Sequence, residues 1–469
     1  MLIHLINTPS GYYVYDAHVN TIAPISKNAY AYLKTLIEQK KTTNLVSSST
    51  LREVDELRQD GLLSDHVIIK LEHPLTDLVS DLLNRSISNL TLQLTQNCNF
   101  RCGYCPYTDN DGKQRLHSSK KMTIEQARKA LLFFHSHSID SEFISITFYG
   151  GEPLLEYPLI KEVVKEAEEL FSGKDILFSI TTNGSLLSDG VANFFLEHDF
   201  RILISLDGPK EANDKNRKFA TGNASVFDTV MNNLKLISNS SPKLMNNISI
   251  NMVMDPSLDF DIFESLPIIT ELSQINIQTT LINDYGLANE NVFEKHFTTK
   301  YFYHNFLFYL AIMKRYTGGN ILTNTLNGEW ENSKKIDKNS PSPIACPSGP
   351  CLPGHHKLFV SVDGVFYPCE KVNESEAFKC GSIDTGFNED KVTNMLNVSQ
   401  LTKEECSNCW AYRLCSSCVE FADGGECLSS TVRLDYCAKS KEQAHYTLVN
   451  HILDSDITNH LLKGDCFNE

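Results

Sequence analysis

Six short apolar runs, near residues 91–95, 144–149, 176–182, 201–206, 247–253 and 275–281, alternate with helical patterns from Asn89 to about Ile282. Few folds accept that rhythm. Strands separated by amphipathic helices do not pair as tight hairpins, so they line up in parallel with the helices laid over them. The clearest helix begins at Thr123, where T-x-x-Q forms a capping box and Ala127, Ala130, Leu131 and Phe134 share one face. Six such units suit an open, partial (β/α)6 barrel better than a closed eight-stranded one. The fold class is α/β, and functional groups are expected where the strands end, at their C-terminal face.

The flanks differ from this centre. Residues 1–80 read as a small α+β unit: a hairpin from strands near Leu2–Ile6 and Tyr12–Asp16, a helix near Lys27–Lys40, and a second helix opened by a Thr50–Glu53 capping box and stopped by Gly61. The stretch "HVIIK" adds a third strand, which makes the unit compatible with a winged-helix-like module among other small domains. The central unit is assigned residues 81–283. Residues 284–340 read as a helical linker followed by a polar loop. Residues 341–469 change character, holding eleven of the fourteen cysteines and one clear hairpin, "KLFVSVDGVFYPCE", with its turn at Asp363-Gly364.

Composition removes several classes of function. A net charge of −16 argues against nucleic acid or an anionic membrane as partner, since phosphate affinity rests on clustered Lys and Arg. The opening residues lack the basic start and apolar core of a signal peptide, and no apolar run is long enough to span a bilayer. The expected location is the cytoplasm, where thiols stay reduced, so fourteen cysteines point to metal or cluster ligation rather than disulfides.

Cys98, Cys102 and Cys105 follow the first central strand in C-x3-C-x2-C order. A structural zinc site wants four ligands, whereas three thiolates can hold three irons of a [4Fe–4S] cube and leave the fourth open. At the next strand end stands "YGGEP", with Gly150, Gly151 and Glu152. Later ends carry "TTNG" (Thr182, Asn183) and "SLDGP" (Ser205, Asp207), followed by Arg217. Singly each reads as turn chemistry. Toward the C-terminus the pattern is Cys346-x4-Cys351-x17-Cys369, Cys406-x2-Cys409-x5-Cys415-x2-Cys418 and Cys437. Alone, these fit zinc ribbons equally well.

The order of the four central motifs, with Tyr104 as the aromatic before the last cysteine, resembles the radical S-adenosylmethionine (SAM) superfamily. That resemblance implies a SAM-binding [4Fe–4S] cluster on Cys98, Cys102 and Cys105, with Gly150, Gly151 and Glu152 at the SAM amino group. It also implies Thr182, Asn183 and Ser205 near its ribose and carboxylate, Arg217 paired with that carboxylate, and hydrogen abstraction by a 5′-deoxyadenosyl radical. Asp207 and Glu152 are assigned to scaffold and SAM rather than to proton transfer, and no general base is identified.

Behind such a core the C-terminal cysteines resemble a SPASM domain with two auxiliary [4Fe–4S] clusters. One is implied on Cys346, Cys351, Cys369 and Cys418, the other on Cys406, Cys409, Cys415 and Cys437. The x2 spacing before Cys418 departs from the usual x3, leaving Cys427 as an alternative, while Cys380 and Cys466 have no assigned role. The N-terminal unit resembles leader-peptide recognition elements. The "CPYT…RLHSSKKMT" and "TFYGGEPLLEYPLI" stretches look like maturases of Cys-rich ribosomal peptides of the freyrasin (ranthipeptide) type. The implied reaction joins Cys sulfur to the β-carbon of an acidic residue, on a precursor peptide, with electrons from a donor such as flavodoxin or ferredoxin. Alternatives are α-carbon thioethers, C–C crosslinks and sulfatase maturation; outside enzymes, a zinc-rich binding scaffold.

Overall fold

The computed structural model describes residues 1–38, 46–105, 107, 116–266, 272, 275–282, 294–336, 339–349 and 351–462. Lys40, at the end of the expected first helix, and Cys466 lie outside these.

At the N-terminus, β1 (Ile3–Thr8) and β2 (Gly11–Asp16) form the expected hairpin, Thr8 facing Gly11 across the turn. The third strand is β3 (Thr21–Ile25), antiparallel to β2, and not "HVIIK". Pro24 hides it from a sequence reading, because proline cannot donate to a ladder; the edge position of β3 makes it tolerable. Only Lys70 of "HVIIK" enters a strand, in β4 (Lys70–Leu71).

Two helices follow, Lys27–Ile37 and Ser48–Gln59. The second is capped by Ser47, whose hydroxyl accepts from Thr50 N. Glu53 caps its neighbour instead: its carboxylate accepts from the Ser26 backbone N and Oγ, both at 2.6 Å, just where Ser26 caps the first helix. Gly61, at φ +88°, ends the second helix as expected.

The centre is one parallel sheet: β5 (Asn89–Thr95), β6 (Phe143–Gly150), β7 (Asp175–Thr182), β8 (Arg201–Ser205), β9 (Ile248–Met254) and β10 (Asn276–Leu281), paired strictly in sequence order. Helices Ile124–His137, Tyr157–Leu170, Asp189–Glu197 and Val226–Ser240 cover one face. Their apolar stripes share a core with Leu90, Leu92, Ile146, Phe148, Ile180, Ile204, Ile250 and Met252. The alternate positions form the other face, with Thr147, Tyr149, Ser179, Thr181, Ser205 and Asn251 only half-buried. Parallel sheets are usually covered on both sides. Here the second face is polar and partly open, the condition for a binding surface inside an unclosed barrel.

Helices Lys295–Ile312 and Thr323–Ser333 occupy the expected linker. The second guards the free edge of β10: Asn324 Nδ2 donates to Ile277 O at 2.9 Å and Thr325 Oγ1 to Thr279 O at 2.8 Å.

The cysteine-rich region is not a separate lobe. Its β11 (Ile344–Ala345) pairs with β4, and its β12 (Leu358–Val360) adds to β5 in parallel. β13 (Val365–Tyr367), β14 (Gly381–Ser382) and β15 (Gly386–Phe387) then extend the same sheet to ten strands. Gly364, at φ +76°, makes the β12–β13 turn. The last element among the described residues is the helix Cys437–Leu462. Among the described residues no helix is long and apolar enough to cross a membrane.

The Glu53 cap makes a measurable claim. Ser26→Ala and Glu53→Ala should each cost about 1 kcal/mol, and the double variant less than their sum, because both remove one shared contact. Full additivity in urea denaturation would show the contact to be idle.

Candidate functional site

The three central cysteines sit on the loop leaving β5, which is held like an extra strand. Arg101 N donates to Lys218 O at 2.8 Å, Gly103 N to Asn216 O at 3.0 Å and Ala220 N to Asn99 O at 2.8 Å. Phe100 meets Phe219 edge-on at 4.8 Å. Cys102 is buried; Cys98 and Cys105 are half-buried. Burial pushes the Cys98 thiol up to about 12 and the Cys102 thiol up to about 11. Hydrogen-bond donors already face the sulfur: Phe100 N lies 3.3 Å from Cys98 Sγ and Asn183 Nδ2 3.9 Å from it. Among the described residues no three cysteine sulfurs lie within 4.8 Å of one another, the convergence that one tetrahedral ion would need. The N–H···S donors suit a thiolate that serves as a ligand.

"YGGEP" locks this loop from below. A Cβ on Gly150 would stand 2.3 Å from Thr95 O, and one on Gly151 2.2 Å from Asn97 O. Gly151 N and Glu152 N in fact donate to those two carbonyls, at 2.8 and 2.9 Å. The glycines are therefore required by contact with the cysteine loop itself. Glu152 has partners within the chain. Its side chain is wholly buried and accepts from Leu154 N (3.0 Å), Thr182 Oγ1 (2.7 Å) and Asn183 N (2.7 Å). Three internal donors take most of the acceptor capacity of this carboxylate, so it clasps the β6 and β7 ends together. Burial pushes its pKa up, against the pull of those donors.

Thr182 and Asn183 belong to the same clasp, with Asn183 Nδ2 reaching Asn99 Oδ1 at 2.8 Å. Ser205 ends β8, half-buried on the open polar face. Arg217 finds a carboxylate within the chain: Nη2 donates to Asp207 Oδ1 at 3.0 Å, and Nε lies 2.9 Å from Oδ2. The Nε–H is not aimed at that oxygen, and has no aligned hydrogen-bond acceptor among the described residues. Tyr104 donates to Asp207 and lies under the guanidinium, 5.6 Å from ring centre to Cζ. The loop thus delivers Tyr104 and Cys102 to the Asp207–Arg217 pair.

The C-terminal cysteines gather in two sets. Cys351, Cys369 and Cys418 lie within electrostatic reach of one another, and burial pushes Cys418 up to about 11. Cys406, Cys409, Cys415 and Cys437 form the other set. Cys346 lies between, 3.0 Å from Ser348 Oγ and within reach of Cys415. The 346–351 loop still abuts the first set, since a Cβ on Gly349 would stand 2.6 Å from Cys418 Cβ. Cys427 is exposed and Cys380 fully buried.

The sequence reading missed a link between the two cysteine regions. Glu374, five residues past Cys369, accepts from Gln93 Nε2 at 2.5 Å and from Gln96 Nε2 at 3.0 Å. Gln93 is fully buried on β5. The available signal was Gln93 itself, a long amide on the polar side of the alternating strand NLTLQLT.

Residues 92–266 match the Radical SAM superfamily profile. A cysteine-type anaerobic sulfatase-maturating enzyme of Clostridium novyi is 28% identical over 71% of this chain and 87% of that protein. An uncharacterized protein of Methanocaldococcus jannaschii is 33% identical over 31% of this chain; the match spans 46% of that protein. The solved structure of native anSMEcpe with bound AdoMet shares the fold at a TM-score of 0.57 and 21% identity, over 78% of this chain and 99% of that one.

Gly151→Ala should push the loop off its seat and lower iron by about four of the roughly twelve per chain that three cubes would hold. Unchanged iron in the reconstituted variant would contradict the packing argument. Glu152→Gln should cost about 1–3 kcal/mol, because its amide cannot accept from all three donors; an unchanged urea midpoint would refute the clasp.

Proposed function

We propose that this chain, which carries a radical SAM core, is a maturase of a ribosomally made Cys-rich peptide and joins Cys sulfur to a substrate carbon, the β-carbon of an acidic residue. The observation that carries the reading is the meeting, at the C-terminal ends of β5–β8, of a three-thiol loop with the "GGEP", "TTNG" and "SLDGP" turns. Cys98, Cys102 and Cys105 would hold a [4Fe–4S] cluster there, and Arg217, whose Nε–H has no aligned acceptor among the described residues although Asp207 Oδ2 lies 2.9 Å away, suits the carboxylate of SAM. Bound at this place, cluster and SAM supply a carbon radical able to take a hydrogen atom from a substrate carbon. The half-buried polar face of β6–β9 can seat an extended peptide beside it.

The two C-terminal cysteine sets, read as ligands of two further clusters, support an oxidative outcome. Forming C–S from C–H and S–H releases one hydrogen atom, one proton and one electron, and the electron needs an acceptor. The N-terminal sheet supports a peptide substrate, because β3 is an edge strand to which a leader can add by strand pairing.

A second reading, maturation of a sulfatase cysteine, is favoured by the C. novyi likeness. It leaves unexplained the fifth or so of this chain that the anSMEcpe structure does not cover.

Cys98→Ala should abolish reductive SAM cleavage; undiminished 5′-deoxyadenosine would defeat the assignment. With a neighbouring Cys-rich precursor, mass spectrometry should show the loss of two hydrogens per bridge. Conversion instead of a sulfatase-peptide cysteine to an aldehyde would establish the second reading.

A further inference from the structure

Arg433 is 1% exposed, among the largest fully buried side chains. Its guanidinium donates to Thr402 Oγ1 (3.2 Å), Ser417 O (3.0 Å), Ser417 Oγ (3.3 Å) and Pro347 O (2.7 Å). All these acceptors are neutral. Among the described residues no carboxylate pairs with it, although the chain carries sixteen more acidic than basic side chains. A buried cation without a counter-charge is costly, and neutral carbonyls recover only part of the lost hydration.

The acceptors belong to the cysteine sets. Pro347 follows Cys346, Ser417 precedes Cys418, and Thr402 Oγ1 lies 3.2 Å from Cys406 Sγ. The carbonyl of Arg433 itself meets Cys437 Sγ at 3.8 Å. One cation therefore touches segments from both sets, and its charge acts against burial at Cys346 and Cys437. Simple loop-pinning could be done by a neutral amide. A permanent charge without a carboxylate makes sense where negative charge arrives later, as thiols become thiolates on ligating metal.

We infer that Arg433 is the shared counter-charge of the two C-terminal cysteine sets, a positioning residue that steadies both groups of thiolates and raises the reduction potentials of the clusters they hold. The inference rests on reading these cysteines as cluster ligands. Cluster potential follows net charge and hydrogen bonding around the sulfurs, so removing one buried positive charge disfavours the electron that reduction adds.

The test uses the full chain with Cys98, Cys102 and Cys105 changed to Ala, so that only the C-terminal sites report. Arg433→Gln and Arg433→Lys are reconstituted anaerobically, assayed for iron and sulfide, and titrated with EPR detection. Arg433→Gln should make reduction at least tenfold less favourable, about 59 mV for one electron, while Arg433→Lys stays within threefold of the parent. Loss of iron by Gln but not by Lys carries the same conclusion. Coincident titrations of parent, Gln and Lys, or equal iron loss in both variants, would overturn it. A parent chain that takes up zinc and no iron would instead remove the cluster reading beneath it.

Discussion

Backbone contact between two strand ends governs the arrangement of the site. Gly150 and Gly151 lie so close to Thr95 and Asn97 that no side chain fits between them. The cysteine loop therefore leaves β5 along one path only. Glu152 extends the constraint sideways, since its carboxylate takes donors from the β7 end and holds "TTNG" against "GGEP". The segment 216–220 closes the loop from the far side and brings the Asp207–Arg217 pair to Tyr104. Four motifs spread from Cys98 to Arg217 act as one rigid seat.

That seat is built largely without reserve. Thr182 and Asn183 bond Glu152, Asn183 also bonds Asn99, and Asp207 takes donors from Arg217 and Tyr104, all within the chain. Preorganisation of this kind suits a site that must hold reactive chemistry in one geometry and away from water. The polar, half-open face of the sheet supplies the contrasting property, adaptable contact for a substrate.

Much of this was legible in the sequence, where local rules suffice. All six central strands were placed within two residues of their observed bounds, because alternation and length are local signals. The Thr123 capping box is present as read. Failures came where a partner lies far along the chain. Glu53 suits a box with Thr50 but bonds Ser26, 27 residues away. Pro24 argued against a strand that its edge position permits. Nothing in "RLDYC" announces that Arg433 is buried, since burial of an arginine is decided by four acceptors contributed by three distant residues.

The addition of β12 to β5 has a geometric consequence. Each strand residue advances about 3.3 Å along the ladder, a step set by the backbone and indifferent to side chains. Cys98 lies three residues beyond the C-terminal end of β5, whereas β13 runs antiparallel to β12, so Cys369, two residues beyond β13, leaves the ladder toward its opposite end. The strands thus act as a strut between two cysteine-bearing loops. Their separation is written in peptide geometry rather than in a hinge or linker.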